Sequence, residues 1–533
     1  MPPAQPPEPS AQTAAPAAPQ AARMPLAWPR DAALAAATGA AALAVYAATA
    51  SPYVLNEDVA EFQALAAGGG IAHAGYPLLT LALEAFHRLP FATAAYRANL
   101  VSGVAGAVAV ALAAWGALRL GAGRLPAAAA ALALALSPAL WREATRAEVY
   151  AFTLPFAAGA WLALERARRD GGSRAWLACG FLAGLALTGH AGSAAIAITA
   201  GLVAAWRAAR GRRAAREALA ALGGLAAGLT PLAALLLRDV AGHPLNYIET
   251  TFDRWSPFHV AWASDPATRL RRVALLLSGR QFLEDAWFRP FMDAGLRLRA
   301  LGLGVALNDL PLAGTLLAAF GGAVALARRS AAHGTLALWI AATLVLLAWA
   351  AYPNVLASFF LPGLWALALF AATGLGALHR RAPAAGRAAA ALLVAAPLAR
   401  LAWPEPPAAL EARPVAAAVW RTAPAGWSPF RHDPSWEAFG RAALAGLPPR
   451  AVVLACWDEG TTLLALTRAA GVRPDVEVRL TCDQPGRVAA AAAEAAAAGR
   501  ALYATIPPAR LGDAARWAPA GRWARGALWR HAP

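Results

Sequence analysis

Residues 98–118 read ANLVSGVAGAVAVALAAWGAL, a run of 21 residues without an ionisable side chain. The run ends at Arg119, and Arg124 follows shortly after it. A helix that crosses the hydrocarbon core of a bilayer needs about 20 consecutive, mostly apolar residues. This stretch therefore predicts a transmembrane helix with an arginine-rich end.

The same pattern recurs along most of the chain. Of the 533 residues, 59% are apolar and only 14% are charged, against about a quarter charged in an ordinary soluble domain. Mean hydropathy is +0.46, which argues against a disordered chain and against a soluble enzyme. The candidate spans lie near 31–50, 98–118, 125–141, 149–165, 175–189, 190–206, 217–237, 310–327, 334–351, 355–378 and 386–402. The sequence therefore predicts an α-helical polytopic membrane protein with about eleven transmembrane helices.

Arginine supplies all of the basic charge, and its distribution predicts the topology. The net charge is +17, but the arginines cluster between apolar runs. Their predicted role is therefore to orient the helices in the membrane, and not to bind nucleic acid. One set of short loops carries arginine, whereas the alternate loops near 189–193 and 352–358 carry none. The positive-inside rule then predicts a cytoplasmic N-terminus, and an odd number of spans predicts an extracytoplasmic C-terminus.

Changes in composition divide the chain into three parts. Residues 1–30 are predicted to be a disordered cytoplasmic tail, and residues 31–402 a transmembrane domain with long outer loops at 51–97 and 238–309. Within the first loop, Pro77 to Leu89 has the spacing of an amphipathic helix. Residues 403–533 alternate strand-like and helix-like segments, which predicts a small extracytoplasmic α/β domain with parallel strands.

The three cysteines exclude a disulfide-rich scaffold and a Cys-x-x-Cys metal site. Cys456 and Cys482 follow two predicted strands, and either a disulfide or two separate thiols fits this placement. The sequence contains no motif for phosphate-loop nucleotide binding, for a serine nucleophile elbow or for zinc. These absences argue against ATP-driven transport and against the common hydrolases, and no metal site is evident.

The densest group of acids follows the first span, where ionisable residues are functional candidates. Asp58 and Glu61 are three positions apart, so a helix starting here would carry both on one face. A carboxylate at the outer mouth of a bundle could act as general base toward a hydroxyl. The alternative is that both acids only stabilise a helix N-terminus through the helix dipole.

Further candidates lie in the same outer loop and at the start of the second span. His73 and Tyr76 occupy a Gly- and Pro-containing turn into the next helix, where His73 could bind substrate or only cap the turn. Arg97 could face a phosphate group or extend its guanidinium to the interface.

The outer loop from Trp141 to Tyr150 breaks the arginine asymmetry, because it holds two arginines and two glutamates. Arg142 and Arg146 are four positions apart and could bind a phosphate, although pairing with Glu143 and Glu148 inside the loop would explain them equally well. His190, at the outer end of a later span, could be a ligand or a packed residue.

These motifs, taken in order, resemble a bacterial membrane family whose animal relative is a protein O-mannosyltransferase, within the GT-C superfamily of polytopic glycosyltransferases. In this sequence, His73-Ala74-Gly75 lacks the two prolines typical of that family, and Gly189 precedes His190 where the family more often has asparagine. The matching stretches are Asp58–Phe62, Gly70–Leu78, Tyr96–Leu100, Ser137–Tyr150, Leu447–Ala451 and Gly471–Val476.

The resemblance implies an inverting transfer of a mannose-like hexose from a polyprenyl-phosphate carrier to a hydroxyl on the outer face of a bacterial inner membrane. The family's acid maps to Asp58, with Glu61 assisting it. It also implies that substrate is bound by His73, Tyr76, Arg97, Arg142, Arg146, Glu148 and His190. The partners would be the lipid-linked sugar, a protein or glycan acceptor and the bilayer, without nucleic acid or a separate cofactor.

Two other functions fit the sequence. A carrier or flippase for lipid-linked glycans would place ionisable residues near the bilayer midplane, often on broken helices in repeated halves. A membrane scaffold would use the outer α/β domain to bind a partner and would not require Asp58. The acids in the outer loops and the absence of a sequence repeat favour the transferase.

Overall fold

The structure, a computed structural model, describes residues 28–243, 245–248, 266–278, 294–350, 356–403, 405–421, 430–481, 485–511 and 514–532. The predicted N-terminal tail lies outside this range up to residue 27, and the first helix begins at Trp28. The helices of the membrane part are α1 (Trp28–Thr49), α2 (Glu57–Ala66), α3 (Pro77–His87), α4 (Ala94–Arg119), α5 (Arg124–Ala135), α6 (Pro138–Ala144), α7 (Val149–Asp170), α8 (Ser173–Gly189), α9 (Ala194–Ala208), α10 (Arg212–Gly228), α11 (Ala233–Val240), α12 (Pro266–Leu277), α13 (Ala294–Gly304), α14 (Leu312–Ala327), α15 (Ala331–Ala350), α16 (Leu356–Phe359), α17 (Leu361–Arg381) and α18 (Pro383–Ala402).

The chain is a multi-pass membrane protein, as predicted. Among the described residues, seven helices are long and apolar enough to cross a membrane, or nine if each of two bent pairs is one span. The predicted number of eleven is not confirmed. The two other predicted spans coincide with α7, which ends in charged residues, and with α8, which has only 17 residues. One bent pair is α5 and α6, whose axes meet at 63°. Pro138 is the first residue of α6, just after the break between the two helices.

Three tryptophans fill the centre of the bundle. Trp161, Trp339 and Trp365 are almost completely buried, and the ring of Trp365 lies 5.7 Å from each of the other two. The Trp365 indole N–H donates to the Ala109 carbonyl at 2.9 Å. The Trp161 indole N–H donates to the Thr335 hydroxyl at 3.1 Å, so two of the three indole groups have the hydrogen-bond partner that buried indoles usually find. The alanine-rich sequence lets the surrounding helices approach these large side chains closely.

Helices α8 and α10 pack backbone against backbone through glycines at i and i+4 on each helix. A Cβ at Gly180 would lie 1.9 Å from the Ala221 carbonyl oxygen, and one at Gly224 would lie 2.1 Å from the Leu177 carbonyl oxygen. Gly184 and Gly228 continue the same contact one turn further on. Small residues at this spacing are the usual way in which membrane helices achieve close contact without a hydrophobic driving force.

The C-terminal part carries a five-stranded sheet in the order β2-β1-β3-β5-β4. The strands predicted at residues 450–456, 476–481 and 501–506 are confirmed, and both neighbours of β1 run parallel to it. The sequence did not predict the antiparallel hairpin that completes the sheet. The elements here are α19 (Ala408–Glu411), α20 (Pro414–Arg421), α21 (Ser435–Ala445), β1 (Val452–Ala455), α22 (Trp457–Leu464), β2 (Glu477–Leu480), α23 (Pro485–Ala497), β3 (Leu502–Ala504), β4 (Trp517–Trp523) and β5 (Gly526–His531).

Helix α22 joins this sheet to the membrane part. The Thr462 hydroxyl donates to the Leu55 carbonyl at 2.8 Å, and the Val54 N–H donates to the Glu437 carboxylate at 2.9 Å. Both contacts fall on the chain just before α2. Helices α21 and α22 therefore lie against the segment that leads into α2, where Asp58 is found.

We expect Gly180→Leu to destabilise the protein, because the new side chain would meet the α10 backbone, which cannot move aside as a side chain can. Overpacking of this kind costs roughly 1–3 kcal/mol or more. Gly223→Leu is the matched control, because a Cβ at Gly223 meets nothing within 4 Å. Thermal unfolding in detergent should lower Tm for Gly180→Leu only; equal Tm values would contradict the close packing of α8 and α10.

Candidate active site

The site begins at the first turn of α2, where the predicted helix is confirmed. Asn56 precedes the helix in an extended conformation, and Glu57 enters it with a positive φ of 54°. Asp58 and Glu61 then lie three positions apart and face the same neighbouring side chain, His73. The Asp58 side chain is 44% exposed, whereas that of Glu61 is 11% exposed. Asp58 is therefore the carboxylate that an incoming molecule can reach.

A strained turn brings His73 to these acids. Ala74, Gly75 and Tyr76 all have positive φ angles, of 53°, 95° and 42°. The turn is anchored on its N-terminal side, where the Ile71 N–H donates to the Leu245 carbonyl at 2.8 Å. Positive φ is costly for residues other than glycine, and such strain clusters at functional sites. The backbone is thus bent so that the His73 ring enters the space between Asp58 and Glu61.

His73 bridges the two carboxylates. Its Nε2 lies 3.2 Å from Asp58 Oδ2, its Nδ1 lies 2.5 Å from Glu61 Oε2, and its backbone N–H donates to Glu61 Oε1 at 2.9 Å. Burial lowers the pKa of His73, but the two carboxylates outweigh it and raise that pKa well above its usual value. An imidazolium that donates from both ring nitrogens fits two acceptors.

The pKa values of the two acids shift in opposite directions at this site. Burial raises the pKa of Asp58, but the charge and hydrogen bond of His73, with a further bond from Trp457, outweigh it and lower that pKa. For Glu61 burial is the stronger effect, and its pKa is raised. Asp58 is therefore the acid that stays ionised and accessible, and Glu61 holds His73 in place.

Trp457 is a site residue that sequence reasoning missed. Its indole N–H donates to Asp58 Oδ1 at 3.0 Å, across 399 positions of sequence. Trp457 begins α22, directly after β1 and Cys456. Sites commonly form at the carboxyl ends of parallel strands, and Trp457 occupies such a strand end, although no sequence motif singles it out.

The end of α6 and the loop that joins it to α7 form a buried cluster of charges. The Arg146 guanidinium donates to both carboxylate oxygens of Glu143, at 2.8 and 3.0 Å, and lies 3.5 Å from Glu148. Glu143 is fully buried and also accepts from the Ser358 hydroxyl at 2.8 Å. Arg142 is 31% exposed, and its Nε lies 3.4 Å from Glu143. Arg146 thus neutralises Glu143, while Arg142 retains accessible donors.

The charges in this cluster influence one another and reach Asp58. The positive charge of Arg146, with burial, lowers the pKa of Arg142. Burial raises the pKa of Glu148 to about 8, although Arg146 opposes the shift. A raised pKa reduces the negative charge that Glu148 contributes, so the two arginines are less fully neutralised. The charge of Arg146 also lowers the pKa of Asp58, which puts the two groups within electrostatic reach.

His190 and Tyr76 belong to an aromatic group beside the acids. The two rings stack with centroids 6.0 Å apart, and Tyr76 also meets the His73 ring at 5.2 Å. His190 Nδ1 accepts from the Gly192 N–H at 3.1 Å. Burial lowers the pKa of His190 to about 4, so its ring is neutral. His190 is packed against aromatic rings, and its ring connects the Tyr76 side of the site to Tyr150 and Phe359.

Arg97 is the one predicted site residue that the structure does not bring to this group. Its Nη1 donates to the carbonyls of Phe91 and Ala92, at 2.6 and 2.7 Å, where it fixes the turn before α4. Among the described residues, no group of three or more His, Cys, Asp or Glu side chains is placed to hold a metal ion. The possible disulfide involves Cys482, which lies outside the described residues.

The fold is shared with two solved structures of one protein. The crystal structure of ArnT from Cupriavidus metallidurans in the apo state aligns with a TM-score of 0.57 and 16% sequence identity, over 93% of this chain and 97% of that chain. The structure of the same protein bound to undecaprenyl phosphate aligns with a TM-score of 0.56 and 15% identity. At these identities the likeness establishes the fold alone.

Residues 58–213 match the family model described as the protein O-mannosyl-transferase TMEM260 N-terminal domain. The match begins at Asp58 and includes His73, Arg142, Glu148 and His190. A comparison with curated protein sequences gives no match. Over residues 58–213 the family model confirms the resemblance to the protein O-mannosyltransferase type, and the fold is shared with ArnT.

We expect His73→Gln to lower the stability of the folded protein in a pH-dependent way. The raised pKa of His73 contributes stability that is complete below about pH 6.5 and is lost as pH rises through the folded-state pKa. The lowered pKa of Asp58 contributes stability above about pH 4 that is lost as pH falls further. Hydrogen bonds to charged groups are worth roughly 1.5–3 kcal/mol.

The Tm difference between wild type and His73→Gln should therefore be largest between about pH 4 and 6.5 and shrink on both sides. The measurement is thermal unfolding in detergent from below about pH 4 to well above about pH 6.5, so that both sides of the window are sampled. The exposed His432 supplies a control, since His432→Gln should leave Tm unchanged at every pH. A Tm difference that does not vary with pH would exclude the bridging imidazolium.

Proposed function

We propose that this chain is a membrane glycosyltransferase that moves a mannose-like hexose from a polyprenyl-phosphate carrier to a hydroxyl group on the outer face of the membrane. The acceptor is a protein or a cell-surface glycan. The observation that carries the proposal is the exposed carboxylate of Asp58, held by His73 and Trp457 at one end of the bundle. The family model over residues 58–213 and the shared fold with a protein crystallised with undecaprenyl phosphate support it.

In the proposed reaction Asp58 acts as the general base. An acceptor hydroxyl loses its proton to the Asp58 carboxylate while its oxygen forms a bond to the anomeric carbon of the donor sugar. The bond from that carbon to the phosphate oxygen breaks on the opposite face, so the configuration inverts. A base must be ionised before it can act, and the lowered pKa of Asp58 keeps it so. Its hydrogen bonds from two sides fix the direction of the carboxylate.

Arg142 is the residue that we assign to the leaving phosphate. The polyprenyl phosphate departs as an anion, so it needs positive charge and hydrogen-bond donors rather than a proton. Arg146 already donates twice to Glu143, whereas Arg142 is more exposed and lies next to the positive charge of Arg146. In this assignment the ion pair of Arg146 and Glu143 is a fixed support that holds Arg142 in place.

The acceptor could approach from the side of the C-terminal sheet. A cavity of about 410 Å³ lies between the membrane part and the sheet, and Glu61, Tyr247, Trp457 and strand β2 line it. Trp457 also donates to Asp58. A molecule in this cavity would contact the residue that holds the base. This arrangement favours a transferase over a carrier, because the ionisable residues surround one end of the bundle and not its midplane.

Asp58→Asn should abolish hexose transfer while the protein still folds, because an amide keeps the shape of the carboxylate but cannot accept the proton. Mass spectrometry of surface proteins and glycans from a deletion strain should reveal one missing hexose. Wild type and the control Asp458→Asn should restore this hexose, and Asp58→Asn should not. Restoration by Asp58→Asn at equal protein levels would exclude Asp58 as the base and would favour a carrier or scaffold.

Arg142→Ala should weaken the binding of undecaprenyl phosphate by roughly 10- to 100-fold, the loss expected for one charged hydrogen-bond donor to phosphate. The measurement is a titration of the purified protein with undecaprenyl phosphate. Arg88→Ala removes an exposed arginine from the end of α3 and should leave Kd unchanged. Equal Kd values for wild type and Arg142→Ala would contradict the assignment of Arg142.

A further inference from the structure

A second group of charges lies at the opposite end of the bundle from Asp58. Helix α7 begins next to Glu148 and ends at Asp170, and its 22 residues span about 33 Å, close to the thickness of the hydrocarbon core. At that far end a cavity of about 480 Å³ lies between the last turns of α7 and α9 and the first turn of α10. Its charged lining consists of Arg168, Arg169, Arg207, Arg210, Arg213, Asp170 and Glu217.

The two acids of this cavity do not neutralise its arginines. Glu217 is buried at the base, where it accepts from the Trp176 indole at 3.2 Å and from Arg207 at 3.1 Å. Asp170 lies 4.0 Å from Arg166, which is not part of the cavity lining. The arginines therefore exceed the acids by three, counted over the charged residues of the lining.

Two of these arginines have no carboxylate within 4.0 Å among the residues that the structure describes. Arg169 donates from Nε to the Glu165 carbonyl at 3.2 Å, and the Arg210 guanidinium stacks 3.4 Å above the Trp206 ring. Both side chains are exposed. The stacking and the carbonyl contact hold the two guanidinium groups in place while leaving donors directed to an outside anion.

Helix α9 leads from the lipid-facing surface directly to this cavity. Ile198, Leu202, Trp206 and Arg210 are spaced by four, so they form one stripe along the helix and its end. The first three are exposed on the surface of the bundle. In a bilayer, such a stripe matches acyl chains along the aliphatic residues, an aromatic residue at the interface and an arginine at the headgroups.

We propose that this cavity binds the phosphate of an anionic phospholipid, with Arg169 and Arg210 as its donors. The continuous apolar stripe ending in arginine favours a lipid over a soluble phosphate compound, because only a lipid has acyl chains that would contact Ile198 and Leu202. The proposal is independent of the function assigned to Asp58, because the two sites lie at opposite ends of α7. The bound lipid would fix the ends of α7, α9 and α10 relative to one another.

Native mass spectrometry of the purified full-length protein tests this proposal, with phosphatidylglycerol, phosphatidylcholine and pyrophosphate as separate probes. Wild type should bind phosphatidylglycerol more tightly than phosphatidylcholine. Each arginine that faces an anionic headgroup is worth roughly a fivefold gain in affinity. We therefore expect the double variant Arg169→Gln/Arg210→Gln to lose roughly 25-fold in phosphatidylglycerol affinity, and Arg210→Gln alone to lose roughly fivefold.

The matched control is Arg380→Gln/Arg381→Gln, which removes the same charge from the same end of the bundle but outside the cavity lining. This control should keep the wild-type affinity for phosphatidylglycerol. An equal loss in the control pair would overturn the proposal, because the effect would then come from net charge. Pyrophosphate binding that matches the lipid and competes with it would also overturn it. If the double variant fails to fold, the single variant Arg210→Gln decides the outcome.

Discussion

The site depends on one electrostatic constraint, which is that two carboxylates lie beside each other at the end of an apolar bundle. Asp58 and Glu61 would repel each other there, and the burial of Glu61 would favour its neutral form. The His73 ring resolves this conflict by lying between them and hydrogen-bonding to both. The backbone from Ala74 to Tyr76 adopts costly positive φ angles, and this turn brings the ring into position.

Around this bridge, the site is assembled from segments that lie far apart in sequence. The C-terminal part supplies Trp457, which fixes the second oxygen of Asp58. The end of α6 and the loop that follows it supply the arginines, and Glu143 and Ser358 hold them in place. A carboxylate aimed by donors on two sides and a positive cluster within its electrostatic reach are the two parts that an inverting transfer from a lipid phosphate requires. No single segment of the chain contains both.

Local patterns were enough to predict much of this arrangement. Apolar runs and arginine-rich ends predicted the helices, and alternating segments predicted the parallel strands after residue 450. The spacing of Asp58 and Glu61 predicted that they share a helix face. The sequence did not predict the bends between α5 and α6, because these depend on how neighbouring helices pack. The hairpin β4–β5 was also missed, since its strands carry little apolar alternation.

Long-range contacts account for the remaining differences in the site. The contact of Trp457 with Asp58 joins two parts of the chain through tertiary docking, which no local pattern records. From the sequence alone, Arg142 and Arg146 are equally good candidates for binding a phosphate. Only the pairing of Arg146 with both carboxylate oxygens of Glu143 distinguishes their roles. Arg97 matches the family motif, yet its guanidinium is used by two nearby carbonyls. Hydrogen-bond partners, and not residue type, decide which of these arginines can meet a substrate.

The most direct measurement is an experimental structure of the Asp58→Asn protein with a polyprenyl-phosphate hexose bound. We expect the anomeric carbon to face residue 58, with room for an acceptor oxygen about 3 Å from both, and the phosphate to contact Arg142. A sugar bound at the arginine-rich far end of α7, or a phosphate on the same side of the anomeric carbon as residue 58, would contradict this expectation.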